Sequence, residues 1–307
     1  VNAGLEIAGS DCMVIDLETR HDSVALAAQR VRKIHQTAVR DRCHKIDSTL
    51  RGNWPHEVKA LLDMGFAIDV VPSFPDAGRR CRHGVVYVDD VPVAESASGA
   101  DALNPINTSR PMELLRAAGC TNRDVRVVDA NDNDELAQAA QRCRAEGRML
   151  VGPSGAIQAF AATFGRPHSR QKFVLRTPIL VVCGSLHPVS RSQIRRLQCP
   201  LYTLNETFQI SDHLSVLTTL EPTRTPDLNA AWATARALAS WSNSAAPIGT
   251  LVVIGGDTAA AILGNEPVKV LGNLGVAIPV SDRNGQLLVT KGGGIGKPDT
   301  LLDLLSA

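Results

Sequence analysis

Leu251-Val-Val-Ile-Gly-Gly-Asp-Thr258 is four apolar residues, three of them β-branched, that break on two glycines and pass directly to an acid and a hydroxyl. Unbroken apolar text of this length suits a strand buried on both faces, as in a parallel sheet. In open parallel sheets, ligands gather at the carboxyl ends of the strands. Gly255 and Gly256 would let a phosphate approach the backbone, helix N-terminal N–H groups would attract its charge, and Thr258 could add a hydroxyl donor. The same letters also suit a plain strand-to-helix turn, with the helix starting at Asp257 as N-cap.

Two further stretches share this design. Val289-Thr-Lys-Gly-Gly-Gly-Ile-Gly296 leaves a strand through four glycines in five positions, and Lys291 offers a cation to a polyphosphate. A flexible loop with a solvated lysine is the bland alternative. Val182-Cys-Gly-Ser-Leu-His-Pro188 also exits a strand and presents Ser185 and His187. Three phosphate-compatible turns in one α/β segment favour a nucleotide site. None matches the P-loop or the Gly-x-Gly-x-x-Gly fingerprint, so a dinucleotide-dependent oxidoreductase is disfavoured.

Outward from these turns, short apolar strands alternate with amphipathic helices, the pattern of an α/β fold. Cys12–Leu17, Phe66–Val71, Val125–Asp129, Met149–Val151, Pro178–Cys183 and Leu287–Thr290 read as strands, and Gly84–Val93 as a hairpin turning at Asp89-Asp90. Helices are expected over Asp22–Thr37, from Asp132, from Pro188, and over Pro226–Ser242. In the last, Leu228, Ala231, Trp232, Ala235, Leu238 and Ala239 fall on one stripe that should be buried. The polar run Gly165–Lys172 reads as a linker, dividing the 307 residues into α/β domains at 1–167 and 173–307 with an active-site cleft between them.

Composition is that of an ordinary globular chain, 44% hydrophobic and 21% charged, with net charge +1. No bulk electrostatic reason exists to expect nucleic acid or an anionic membrane as partner. Seven scattered cysteines contain no Cys-x-x-Cys pair, so no zinc or redox motif is signalled, no residue is assigned as a metal ligand, and a reducing cytoplasm is the simplest compartment. No apolar run reaches transmembrane length. The chain opens at Val1 with apolar text at once, as a trimmed product would.

The first half carries its own polar constellation. Lys45-Ile-Asp-Ser-Thr-Leu-Arg-Gly52 packs two cations, a carboxylate and two hydroxyls into eight residues. On an extended stretch Lys45, Asp47 and Thr49 would share a face. Arg51 could grip a carboxylate through a bidentate fork, with Asp47, Ser48 and Thr49 addressing hydroxyls, as a polyhydroxy acid requires. A solvent-exposed loop with a helix N-capped by Asn53 would use the same letters. Asp16-Leu-Glu-Thr-Arg20 again follows an apolar run, and Arg79 follows Gly78 in an arginine-rich segment, placed to hold an anion or to form a solvated face.

Taken together these stretches resemble the four-carbon acid sugar kinase family, which includes 3-oxo-tetronate, threonate and erythronate kinases. The resemblance runs in order through D-L-E-T-R at Asp16, K-I-D-S-T-L-R-G at Lys45, P-S-F-P-D-A-G-R at Pro72 and D-A-L-N-P at Asp101. It continues through C-G-S-L-H-P at Cys183, G-G-D-T at Gly255 and K-G-G-G-I-G at Lys291. It implies an acid-sugar domain carrying Asp16, Arg20, Lys45, Asp47, Ser48, Arg51 and Arg79. It also implies an ATP domain carrying Ser185, Gly255, Gly256, Asp257, Thr258, Lys291, Gly293 and Gly294. The reaction implied is transfer from Mg2+-ATP to the 4-hydroxyl of the acid. Asp257 and Asp47 are candidates for the proton-handling carboxylate and Lys45 a further catalytic candidate.

Two features depart from the family. Its opening Asp-Asp-x-Thr-Gly motif has no counterpart in this sequence, and His187 stands where a serine is usual. A non-catalytic nucleotide- and acid-sugar-binding protein derived from such a kinase is the alternative reading. A homo-oligomer is compatible with the sequence, which does not specify one.

Overall fold

The computed structural model describes residues 13–36, 41–101, 104–121, 124–165, 173–204, 206–220, 228–244, 247–264 and 266–305. The chain divides into two compact units, Val1–Pro167 and His168–Ala307. Residues 166–172 of the expected linker lie outside the described residues.

In the first unit, α1 (Val24–His35), β1 (Cys43–Lys45), α2 (Trp54–Asp63) and β2 (Ile68–Val70) are followed by a three-stranded antiparallel sheet. That sheet is β3 (Arg79–Arg82), β4 (Val85–Val88) and β5 (Val91–Pro92). Then come α3 (Pro111–Ala117), β6 (Val125–Val127), α4 (Asn133–Ala145), β7 (Met149–Gly152) and α5 (Ser154–Ala162). The main sheet is parallel, in the order β1-β7-β2-β6. Helices cover both faces. Val31, Trp54, Val58, Leu61 and Leu115 pack with Ile68, Val70 and Val151, while Leu136, Ala140, Ala156 and Phe160 pack with Val71 and Leu150. Asp69, at the centre of this sheet, is buried and closed by Arg126 and Arg148, each at 2.6 Å.

The second unit contains β8 (Ile179–Cys183), α6 (Pro188–Arg195), β9 (Leu201–Thr203), β10 (Leu214–Thr218), α7 (Leu228–Ser244), β11 (Thr250–Ile254) and α8 (Gly256–Leu263). It ends with β12 (Lys269–Gly275), β13 (Ile278–Arg283), β14 (Gln286–Lys291) and α9 (Thr300–Leu305). One sheet runs β12-β13-β14-β11-β8-β10-β9, parallel from β14 to β9 and antiparallel at β12 and β13. Strand alternation splits the core. Ile179, Val181, Val252 and Ile254 face Ile194 and Leu301, while Leu180, Val182, Leu251 and Val253 face Leu238, Ala239 and Ile262.

Several expectations are corrected. Residues 13–19 form no strand, and Val14 is 82% exposed; among the described residues β1 stands at the sheet edge with β7 as its neighbour, and none of them pairs with this apolar run. Cys12 lies outside the described residues. On α7 only Ala235, Leu238, Ala239 and Ser242 are buried, and Trp232 is 47% exposed, because packing against the sheet engages the second half of the helix. The hairpin turn falls at Asp89-Asp90, whose φ angles of 48° and 66° fit a type I′ turn.

Candidate functional site

In the second unit β8, β11 and β14 lie side by side and end flush, because Ile254 is in register with both Cys183 and Lys291. The three glycine-bearing turns therefore leave the sheet at one rim. Gly184 N donates to Ile254 O at 3.2 Å, and Gly255 N donates to Lys291 O at 3.0 Å. The turns touch so closely that a Cβ on Gly184 would lie 2.1 Å from Thr258 Oγ1, and one on Gly293 would lie 2.3 Å from Ser185 Oγ. Only glycine permits that approach. Gly255, with φ 115°, precedes α8, so the helix starts at Gly256 and Asp257 is an exposed first-turn residue rather than the cap. Lys291 is only 3% exposed and its Nζ donates to Gly292 O at 2.9 Å. His187 caps α6, its Nδ1 accepting from Val189 N, while Ser185 Oγ accepts from His187 N.

α6 supports the rim from the side. The buried Ser190 Oγ donates to Gly293 O at 2.7 Å, and the buried Gln193 Nε2 donates to Ile295 O and Lys297 O at 3.1 and 2.8 Å. Arg191, also buried, reaches the end of β10. Its Nη1 donates to Thr218 Oγ1 at 2.7 Å and Thr219 O at 2.8 Å, and its Nη2 to Thr219 Oγ1 at 2.6 Å.

In the first unit the chain leaves β1 into a turn organised by Asp47. This carboxylate accepts from Arg20 Nη2 at 3.0 Å, from Arg51 Nε and Nη2 at 3.1 Å each, and from Thr49 N and Oγ1 at 3.0 and 2.5 Å. Burial works to raise the Asp47 pKa. The charges of Arg51 and Arg20, and the bonds from Arg51 and Thr49, outweigh it and hold the carboxyl well below the usual range. Arg51 Nη1 bonds Asp101 at 2.8 Å, so the fork expected to face a ligand closes on Asp47 and Asp101. Lys45, Asp47 and Thr49 do not share a face, for Thr49 is buried and Lys45 exposed once the backbone turns after Ile46.

Lys45 is held below its ordinary pKa by desolvation, with Arg20 and Arg51 acting in the same direction and Asp47 and Asp16 opposing. The exposed surface of the side chain means that water screens much of this. Arg79 is buried, bonds Ala77 O, and feels the charges of Asp89, Asp47 and Arg51, which places it in the same electrostatic neighbourhood. Asp16 is exposed and accepts from Glu18 N at 2.9 Å; Ser48 is half-buried on the turn.

α2 holds this turn together. Asn53 makes no side-chain cap; its Nδ2 donates to Thr19 O and Asp22 O at 2.7 and 2.8 Å, anchoring the Asp16–Arg20 segment. His44 and Glu57 form a buried pair at 2.7 Å. A cavity of about 270 Å³ lies against Arg20, Gly52, Asn53 and Asn104. A larger one of about 480 Å³, lined by Asp69, Arg126, Asp129 and Glu146, shares no residue with the constellation. Its Arg126 is already closed on Asp69 and Glu146.

Ser190, Arg191, Gln193, Thr218 and Glu57 escaped sequence reasoning because each is an ordinary polar letter within a helix or strand. The one available sign was the D-A-L-N-P motif for Asp101. Among the described residues no group of three or more His, Cys, Asp or Glu side chains could hold a metal ion. Mg2+ commonly arrives on phosphates and takes only one or two carboxylates, and Asp257 is the acid within the three turns.

Among known families, residues 3–151 match the one described as the sugar-binding N-terminal domain. A D-threonate kinase from Bordetella bronchiseptica is 31% identical over 199 residues, covering 58% of this chain and 47% of that protein. A 3-oxo-tetronate kinase from Haemophilus influenzae is 25% identical over 226 residues, covering 61% and 54% respectively. The chain thus spans about half the length of these curated relatives. A crystal structure of a Haemophilus influenzae protein of the DUF1537 family shares the fold, with a TM-score of 0.63 at 20% identity over 96% of this chain and 90% of that one. No helix among the described residues is long and apolar enough to cross a membrane. Residues 3–151 are thus similar to the sugar-binding N-terminal domain, and the matched relatives are a D-threonate kinase and a 3-oxo-tetronate kinase.

Proposed function

We propose that the protein transfers a phosphoryl group from ATP to a hydroxyl of a four-carbon acid sugar, giving the 4-phosphate of a threonate, an erythronate or a 3-oxo-tetronate. The observation that carries this reading is the meeting of three glycine turns, two of them opening helices, at the carboxyl edge of one parallel sheet. Such a rim offers backbone N–H groups and helix N-termini to an anion, and Lys291 adds a fixed positive charge. Ser185, Gly255, Gly256, Asp257, Thr258, Gly293 and Gly294 are the residues we assign to ATP.

The acid falls to the first unit, with Asp16, Arg20, Lys45, Asp47, Ser48, Arg51 and Arg79 as the assigned set. Arg20 and Lys45 are its more exposed cations and take the substrate carboxylate. Asp47 and Arg51 hold the turn in shape. A carboxyl kept well below its usual range binds a proton weakly, so Asp47 serves position rather than base catalysis, and Asp257 remains the candidate base. Mg2+ carried on the phosphates would neutralise their charge.

The test is ADP release with Mg2+-ATP and a panel of D- and L-threonate, D-erythronate and the 3-oxo-tetronates. Stimulation by one acid is the expected result. ATP binding without ADP release for any acid would replace the kinase with a non-catalytic binding protein.

A further inference from the structure

Among the described residues, Arg191 is a charge without a counter-charge. Its residue is 6% exposed, and arginine does not lose its proton in proteins. Among the described residues it forms no ion pair; its three hydrogen bonds go to hydroxyls and a carbonyl of Thr218 and Thr219. Nε is buried and makes no hydrogen bond there. Buried guanidiniums are ordinarily matched by a carboxylate or a bound anion. Two partly buried arginines here are matched in this way, Arg51 by Asp47 and Asp101 and Arg148 by Asp69.

Its place in the fold says where the missing anion belongs. Thr218 ends β10, pairs in register with Cys183, and donates from Oγ1 to Cys183 O at 2.9 Å. Cys183 leads directly into the Gly184-Ser185 turn. The thiol of Cys183, raised by burial, is pulled the other way by both Arg191 and Lys291, so the two buried cations act on the same strand end. The hydroxyls of Thr218 and Thr219 and the Thr219 carbonyl take the terminal nitrogens of the guanidinium, and among the described residues Nε is the nitrogen left without an acceptor.

We propose that Arg191 is the built-in counter-charge of the nucleotide site, its Nε edge taking an oxygen of the polyphosphate held by the glycine turns. This rests on the nucleotide reading above and adds a residue outside the three turns. The alternative role is a neutral one, a clamp between α6 and the end of β10.

The test measures affinities of Mg2+-ATP, inorganic tripolyphosphate and adenosine for the unaltered chain, Arg191→Met and Arg191→Lys. The expected result is a loss of roughly 10- to 100-fold in ATP and tripolyphosphate affinity for Arg191→Met, the range for a charge-assisted hydrogen bond, with adenosine unchanged. Arg191→Lys, which keeps the charge but not the planar fork, should fall between the two, and it decides the matter if Arg191→Met does not fold. Tripolyphosphate binding at the unaltered level in Arg191→Lys and in any folded Arg191→Met, or equal losses for adenosine and tripolyphosphate, would overturn the proposal. Failure of the unaltered chain to bind ATP would overturn the nucleotide reading itself, and this proposal with it.

Discussion

Asp47 accepts from Arg20 and from two nitrogens of Arg51, and it sits at 13% side-chain exposure. Replacing it with Asn keeps the shape but leaves two guanidiniums facing an amide. The expected cost is about 1–3 kcal/mol, since the pairs are only partly buried. Urea unfolding of Asp47→Asn would measure it. The pH dependence follows from the depressed carboxyl. Its contribution is complete above about pH 4, the ordinary aspartate value, and is lost as the pH falls toward the lower folded value. The variant should therefore lose less stability than the unaltered chain over that acid range. It should also raise the acid concentration needed for half-maximal rate while leaving the ATP requirement nearly unchanged.

Residue types at this turn were legible, since Lys45–Gly52 shows two cations and a carboxylate in eight letters. Their pairing was not. Whether Arg51 faces a ligand or Asp101 depends on a contact across 50 positions, which local spacing does not specify.

Helix α6 is unusual in burying Ser190, Arg191 and Gln193 beside Ile194. Hydrophobic periodicity identifies apolar faces, so a helix that turns polar groups inward gives no such sign. Pro188 placed its start correctly, but the purpose of its inner face became readable only when the glycine loop was seen against it. Gln193→Ala would leave the carbonyls of Ile295 and Lys297 without their side-chain donor. A cost of about 1–3 kcal/mol is expected, with ATP affinity falling more than acid affinity. Equal changes in the two affinities, read by titration calorimetry, would contradict the support role. Strand elements were more legible: β8 and β11 announce themselves as apolar runs ending in glycine. One hairpin was readable but unread, for Asn284-Gly285 turns β13 into β14 with φ of 52° and 89°, a combination that type I′ turns favour.

Across the whole molecule, mild acid should weaken the fold through a buried histidine. His35 is lowered from 6.5 to about 4 by burial, then by His44 and Arg42. The unfolded chain therefore takes up a proton near pH 6.5 that the folded chain refuses until about pH 4. Stability falls as the pH drops through that window, because the unfolded state binds more protons. His35→Gln should be less stable at neutral pH, having lost its edge contact with Phe66, yet show a flatter dependence between pH 6.5 and 4. Urea midpoints for both chains at pH 7 and pH 5 would check this; parallel slopes would assign the acid sensitivity elsewhere. At this scale the α/β class was legible from alternation alone. The exposure of Val14 and Trp232 was not, because a pattern of apolar letters states what could be buried and not what is present to bury it.

The tethered loop after β14 has a consequence for what it can hold. A peptide unit carries oxygen on one edge and hydrogen on the other. Oxygens of Gly292, Gly293, Ile295 and Lys297 are already occupied by Lys291, Ser190 and Gln193. Four oxygens of this loop are thus already turned toward donors of the fold, which leaves fewer of them for a bare cation to gather.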